Sequence, residues 1–138
     1  MNRRSFLKGL LFISSIFTLK LTSSSKNNIS FDYGVASGDP TNTNIILWTR
    51  ATPSINKNFQ IEWQMSSDIN FKNILNSGTA FAKYSNDFTV KVDAIVPNAY
   101  RGKQVFYRFF TNNTYSEIGI TKTLPTNNPD NYNIAFCS

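Results

Sequence analysis

Hydrophobic and polar residues alternate with a period of two along much of the chain after residue 31. In segment 59–66 the odd-numbered positions are apolar and the even-numbered positions are polar, whereas in segment 88–94 the even-numbered positions are apolar. Because successive side chains of a strand point to opposite faces, this alternation predicts two strands that each bury one face and leave the other in water. Trp63 occupies an apolar position of the first segment, so we predict that it anchors the core.

Two further segments, 44–50 and 104–110, carry apolar residues on both faces, which indicates central strands and adds Trp48 to the predicted core. Segments 116–123 and 132–137 add two more strands. Clusters of Gly, Pro, Asn and Asp separate these segments about every ten residues. About seven short strands at this spacing predict an all-β chain with an immunoglobulin/fibronectin type III-like β-sandwich.

The first 25 residues do not follow the strand pattern. Arg3 and Arg4 are followed by Ser5 and by Phe6-Leu7-Lys8, and the eleven residues 9–19 are mostly apolar. A helix of this length reaches only about 16 Å, roughly half the thickness of the hydrocarbon core of a bilayer. The segment therefore fits a signal peptide, and no membrane span is predicted.

This N-terminal arrangement resembles the twin-arginine export signal. We therefore predict that residues 1–25 form a twin-arginine signal peptide and linker, and that the export signal consists of Arg3, Arg4, Phe6, Leu7 and Lys8. The resemblance implies that the twin-arginine translocase is a partner. It also implies export to the periplasm, to the cell surface or out of the cell.

The net charge of +6 is concentrated in this N-terminal segment. Four of the 14 basic residues and none of the eight acidic residues precede residue 26, which leaves ten basic and eight acidic residues, a net charge of +2, in the remainder. Arg101-Gly102 precedes an aromatic strand, but the aromatic spacing of an RNA-binding strand is missing. Nucleic-acid binding is therefore not predicted.

The residue types exclude several kinds of active site. Histidine is absent and Cys137 is the single cysteine, so the chain has no Ser-His-Asp triad, no intrachain disulfide and too few ligands for a His/Cys metal site. Ser37 is therefore not a predicted nucleophile. Glu62 and Asp93 fall on the wet faces of predicted strands, which favours solvated charges over a glycosidase pair.

Several segments resemble one family in the order in which they occur. These segments are 31–41, 46–50, 88–93, 106–109, 116–119, 121–125 and 134–138. They resemble the N-terminal region of PhoD-like alkaline phosphatases and phosphodiesterases. The resemblance implies an immunoglobulin-like domain that works with a metallophosphatase domain, either in the same chain or encoded separately. It also implies that the metallophosphatase domain holds iron and calcium and hydrolyses phosphate esters for phosphate acquisition.

On this resemblance the chain divides into three parts. Residues 1–25 are the signal peptide and linker, 26–126 the β-sandwich, and 127–138 a linker and the first strand of a metallophosphatase domain that would continue beyond the chain. A cysteine at the end of that strand is a metal ligand in the family. Cys137 aligns one residue before this position, so it becomes a metal ligand only if the alignment shifts by one residue.

The resemblance implies an accessory domain with no catalytic residue or cofactor of its own, whereas the full-length relative is a phosphoric ester hydrolase. The alternative is a stand-alone exported fibronectin-like module that binds sugar or protein.

Individual residues also have two interpretations. Ser37 to Pro40 form a turn, in which Asp39 bonds nearby backbone, or a contact with the catalytic domain. Arg50 and Arg108 pair with carboxylates or carbonyls, or face a phosphate group at the domain junction. Tyr100, in an extended corner at residues 98–102, makes a tyrosine-corner hydrogen bond or lies exposed.

Overall fold

The computed structural model describes residues 28–112 and 114–125, which form ten strands and two single-turn 3-10 helices. The strands are β1 (Ile29–Ser30), β2 (Val35–Gly38), β3 (Asn44–Arg50), β4 (Thr52–Pro53), β5 (Phe59–Ser66), β6 (Ile74–Ala82), β7 (Thr89–Ile95), β8 (Val105–Thr111), β9 (Thr114–Tyr115) and β10 (Gly119–Thr121). The 3-10 helices are Tyr84–Asn86 and Asn98–Tyr100. Within these residues, no helix has the length and apolar character needed to cross a membrane.

The strands form two main antiparallel sheets. One has the order β2-β3-β7, and the other has the order β10-β8-β5-β6 with β9 also paired to β8. The short strands β1 and β4 pair separately. Residues from both main sheets share one hydrophobic core, so the chain is an all-β sandwich and the predicted fold class is confirmed.

The core is built from the alternating inward positions of the central strands. Leu47 of β3, Ile61 of β5 and Phe109 of β8 are fully buried. Trp63 is buried on the same face of β5 as Ile61, and Glu62 between them is exposed. The predicted phase of this strand is therefore confirmed, because a shift of one residue would exchange the two faces.

The prediction that Trp48 belongs to the core is wrong. Its neighbours Leu47 and Thr49 point into the sandwich, which leaves Trp48 half-buried on the outer face of β3. There it lies opposite Ala36 of β2 and Lys91 of β7. The strand carries apolar residues on both faces, but a second layer covers only one of them.

The predicted turn at Ser37 to Pro40 begins later than expected. Ser37 is part of β2, and the chain turns at Asp39, whose φ is 48°. Thr41 supplies the bonds of the turn, because its hydroxyl accepts the backbone N–H of Asn44 at 2.8 Å. Asp39 makes no hydrogen bond with another residue of the described ranges, so its predicted backbone bond is absent there.

Candidate functional site

The site residues named from the sequence lie outside the described residues. This applies to Cys137 and to the export-signal residues Arg3, Arg4, Phe6, Leu7 and Lys8. Within residues 28–112 and 114–125, no group of three or more His, Cys, Asp or Glu side chains could hold a metal ion. The described part of the chain therefore does not offer a ligand set for the iron and calcium that the sequence resemblance implies.

Ser37 joins the two sheets and has a structural role. Its hydroxyl donates a hydrogen bond to Thr121 Oγ1 at 2.9 Å. Burial raises the pKa of the nearby Tyr107 phenol, and the Ser37 hydroxyl opposes this rise. Since Thr121 and Tyr107 belong to β10 and β8, this polar cluster fastens β2 to the edge of the larger sheet.

Arg50 is fully engaged in a surface ion pair, as one sequence interpretation expected. Its Nε and Nη2 donate to the two carboxylate oxygens of Asp87 at 2.9 and 2.8 Å, and Nη1 donates to Thr52 Oγ1 at 3.1 Å. The hydrogen-bonded pair raises the pKa of Arg50 and lowers the pKa of Asp87. Each nitrogen of this guanidinium therefore already has a partner within the domain, and its charge is paired with that of Asp87.

Arg108 has different surroundings. Its guanidinium carbon lies 4.0 Å from the ring centre of Phe71 and 4.5 Å from that of Tyr115, so the cation contacts both aromatic rings. Its Nε and Nη2 lie 3.3 and 3.0 Å from the side-chain carbonyl oxygen of Gln64. Among the described residues it forms no salt bridge with a carboxylate. Arg108 therefore has the carbonyl partner expected from the sequence but no carboxylate partner.

The loop between β5 and β6 places Phe71 beside Arg108. The Asp68 carboxylate accepts the backbone N–H groups of Asn73, Asn70 and Lys72. These bonds, first that from Asn73, lower the pKa of Asp68. Phe71 takes a left-handed conformation with a φ of 55°, which is rare for a bulky side chain. The loop thus holds the ring in a strained position, where it stacks on a cation.

We call the outward surface around this cation the Arg108 face, and it consists of Gln64, Phe71, Phe106, Arg108, Phe110 and Tyr115. Phe110 and Tyr115 stack with their ring centres 5.4 Å apart. The sequence indicated apolar residues on both faces of this strand, but it did not show that they converge on Arg108. Phe71 comes from a loop, where strand periodicity gives no information.

Tyr100 has neither of the roles expected from the sequence. It is half-buried against the core, and its hydroxyl accepts a bond from the side-chain amide of Asn73 at 3.2 Å. A tyrosine corner bonds to backbone, whereas this bond joins two loops at one end of the sandwich. The extended corner is a single turn of 3-10 helix.

These features define a β-sandwich domain of the immunoglobulin and fibronectin type III class. The family model described as "PhoD-like phosphatase, N-terminal domain" matches residues 18–125. The chain therefore belongs to this family, as the sequence resemblance indicated.

Two known proteins agree with this assignment. The chain is 33% identical over 127 residues to alkaline phosphatase D of Bacillus subtilis (strain 168), an alignment that covers 85% of this chain and 21% of the relative. It is 37% identical to the solved "Structure of PhoD", with a TM-score of 0.63 over 70% of this chain and 20% of that one. The chain thus spans about one fifth of each relative.

Proposed function

We propose that this chain is the accessory N-terminal domain of an exported PhoD-like phosphatase or phosphodiesterase. The observation that carries the proposal is the family match over residues 18–125. Hydrolysis of phosphate esters belongs, in this proposal, to a metallophosphatase domain that holds iron and calcium. The β-sandwich stabilises that domain and shapes access to its substrates.

The chemistry of the described residues supports this division of labour. Catalysis of this kind needs a cluster of groups that holds cations and activates a nucleophile. Ser37 is committed to the junction between the sheets, and Arg50 is committed to Asp87. Glu62 and Asp93 are exposed on opposite sheets, so they do not form a pair.

We also propose that the protein is exported through the twin-arginine translocase. The support is the sequence Arg3-Arg4-Ser5-Phe6-Leu7-Lys8 ahead of a short apolar run. This pathway carries folded proteins, which suits a protein that takes up metal before it crosses the membrane. The periplasm, the cell surface and the medium are all consistent destinations.

The proposed function can be tested with a phosphatase domain as the partner. We would express the phosphatase domain of the Bacillus subtilis relative without its own N-terminal domain and add the 138-residue chain. Because a partner that binds only the folded state stabilises it, the phosphatase domain should unfold at a higher temperature with this chain present. An unrelated fibronectin type III domain is the matched control. An unchanged unfolding temperature would contradict the accessory role and favour a stand-alone binding module.

A further inference from the structure

We propose that the Arg108 face is the surface on which the phosphatase domain packs, and that Arg108 donates hydrogen bonds to a carboxylate of that domain. The inference rests on the proposed function and adds the location and the chemistry of the contact.

Arg108 leaves part of its hydrogen-bond donors without a partner among the described residues. A guanidinium has five N–H donors, and the bonds to Gln64 use only two of its three nitrogens. The rings of Phe71 and Tyr115 hold the guanidinium between them. Its free edge is therefore fixed in position, and the fork of donors on that edge matches a carboxylate.

Arg50 shows what a satisfied arginine looks like in the same domain. All three of its nitrogens have partners, and two of them contact a carboxylate. Arg108 is half-buried and has lost part of its hydration, and no carboxylate among the described residues compensates its charge as Asp87 does for Arg50. A carboxylate from a partner would supply the missing compensation at Arg108.

Exposed apolar side chains form a rim beside Arg108. Tyr115 is 51% exposed and Ile120 is 58% exposed, and Ile120 lies opposite Phe106 across β10 and β8. Ile118, between them in the chain, is also exposed. Aromatic residues and arginine are enriched where proteins bind each other, and large exposed apolar patches mark such surfaces.

The last described residues lie at the end of the sandwich that also holds the β5–β6 loop. Pro125 packs against Gly102 at the end of the sandwich, and the backbone N–H of Gly102 bonds to Thr123 Oγ1 at 2.8 Å. The hydrogen bond between Tyr100 and Asn73 connects this end to the loop that carries Phe71. The chain thus leaves the fold at the same end as the aromatic ring that covers Arg108.

The length of the following segment brings the partner close to this end. The first strand of the phosphatase domain is predicted to begin at Ile134, nine residues after Pro125, a reach of at most about 30 Å. A domain on so short a tether has a high effective concentration at nearby surfaces. By contrast, Tyr33 and Tyr84 lie away from this face, because Tyr33 covers Arg50 of β3 and the ring of Tyr84 contacts Phe88 where the chain enters β7.

The test is hydroxyl-radical footprinting of the 138-residue chain, alone and with the phosphatase domain of the Bacillus subtilis relative, used in a form that still hydrolyses phosphate esters. Tyr115 and Ile120 should lose reactivity in the mixture. Tyr33 and Tyr84, which are 61% and 62% exposed, should remain reactive. The intact relative is the control: its own N-terminal domain occupies the surface, so it should protect neither pair.

Variants test the role of Arg108 itself. Arg108→Ala should weaken binding by roughly thirtyfold, since it removes one side of a buried charged contact. Arg108→Lys should remain clearly weakened, because an ammonium lacks the planar fork. Ile120→Ser, at an exposed position, should weaken binding without altering the circular dichroism spectrum. Lys91→Ala, on the other sheet, should bind like the unaltered chain.

The outcomes separate the two proposals. Binding that protects Tyr33 or Tyr84 but leaves Tyr115 and Ile120 reactive would overturn the Arg108 face and keep the accessory role. Unchanged affinity in both Arg108→Ala and Ile120→Ser would likewise overturn the Arg108 face and keep the accessory role. If no residue is protected and no binding is measured, the accessory role itself fails.

Discussion

Replacing Gly119 with alanine should destabilise the sandwich, because the ring of Tyr107 occupies the space that a methyl group would need. Gly119 lies opposite Tyr107 in the pairing of β10 with β8. A Cβ atom built at Gly119 would overlap two ring carbons of Tyr107 and lie 2.6 Å from its hydroxyl oxygen. Tyr107 is buried and makes an edge-to-face contact with Phe109, whose ring centre is 6.4 Å away, so the ring has little room to move.

The size of the effect follows from two opposing contributions. Overpacking a tight core costs about 1–3 kcal/mol, whereas Gly→Ala gains about 0.4–1 kcal/mol by restricting the unfolded chain. Gly119→Ala should therefore lower the free energy of unfolding by roughly 1–2 kcal/mol, and more if β10 separates from β8. Gly38 is the matched control, because an added Cβ there would meet nothing within 4 Å. Gly38→Ala should be neutral or slightly stabilising.

Urea unfolding, followed by the fluorescence of the buried Trp63, measures both variants on one scale. We expect changes of opposite sign, or at least a gap of about 1 kcal/mol between the two variants, with equal slopes of free energy against urea. In a Tyr107→Leu background, where the ring is absent, Gly119→Ala should lose most of its cost. Equal stability of Gly119→Ala and Gly38→Ala would refute the packing of Tyr107 over β10.

Three further predictions concern the core, the β5–β6 loop and export. Trp63→Ala should cost about 3–5 kcal/mol in urea melts, whereas Glu62→Ala, on the exposed face, should change stability by less than about 0.5 kcal/mol; similar losses would show that the strand phase is wrong. Backbone bonds hold the pKa of Asp68 below its ordinary value of 3.8. The stability that these bonds contribute is therefore complete above about pH 4 and is lost as the pH falls through the lowered pKa. Asp68→Asn lacks the titrating carboxylate, so its urea midpoint should fall less on acidification. A reporter fused to residues 1–30 should stay in the cytoplasm after Arg3→Lys with Arg4→Lys, and unchanged export would count against the twin-arginine signal.

The sandwich could be predicted because its strands obey a simple periodicity. Segment 59–66 alternates strictly up to Met65, and the structure buries the predicted face. The rule fails at Ser66, which is buried although its position is an outward one; its hydroxyl bonds to Asp68 and to the backbone of Asn73 in the β5–β6 loop. It also fails at Trp48, since periodicity cannot show which face of an apolar strand a second layer covers.

The Arg108 face could not be predicted, because its parts come together only through tertiary structure. Phe71 is a loop residue whose left-handed backbone conformation places its ring beside Arg108. Gln64 lies beside Arg108 because β5 pairs with β8. The sequence marked Arg108 as an arginine within an apolar strand. It did not show that Arg50 would have a carboxylate and that Arg108 would not.

The central claim is that this domain assists a phosphatase and does not catalyse hydrolysis itself. The most direct measurement is to purify the 138-residue chain, supply iron and calcium, and assay phosphate monoesters and diesters together with the bound metal. We expect a metal content far below one ion per chain and hydrolysis at the level of the buffer blank. Stoichiometric iron, with turnover that is lost in Cys137→Ser, would contradict the account.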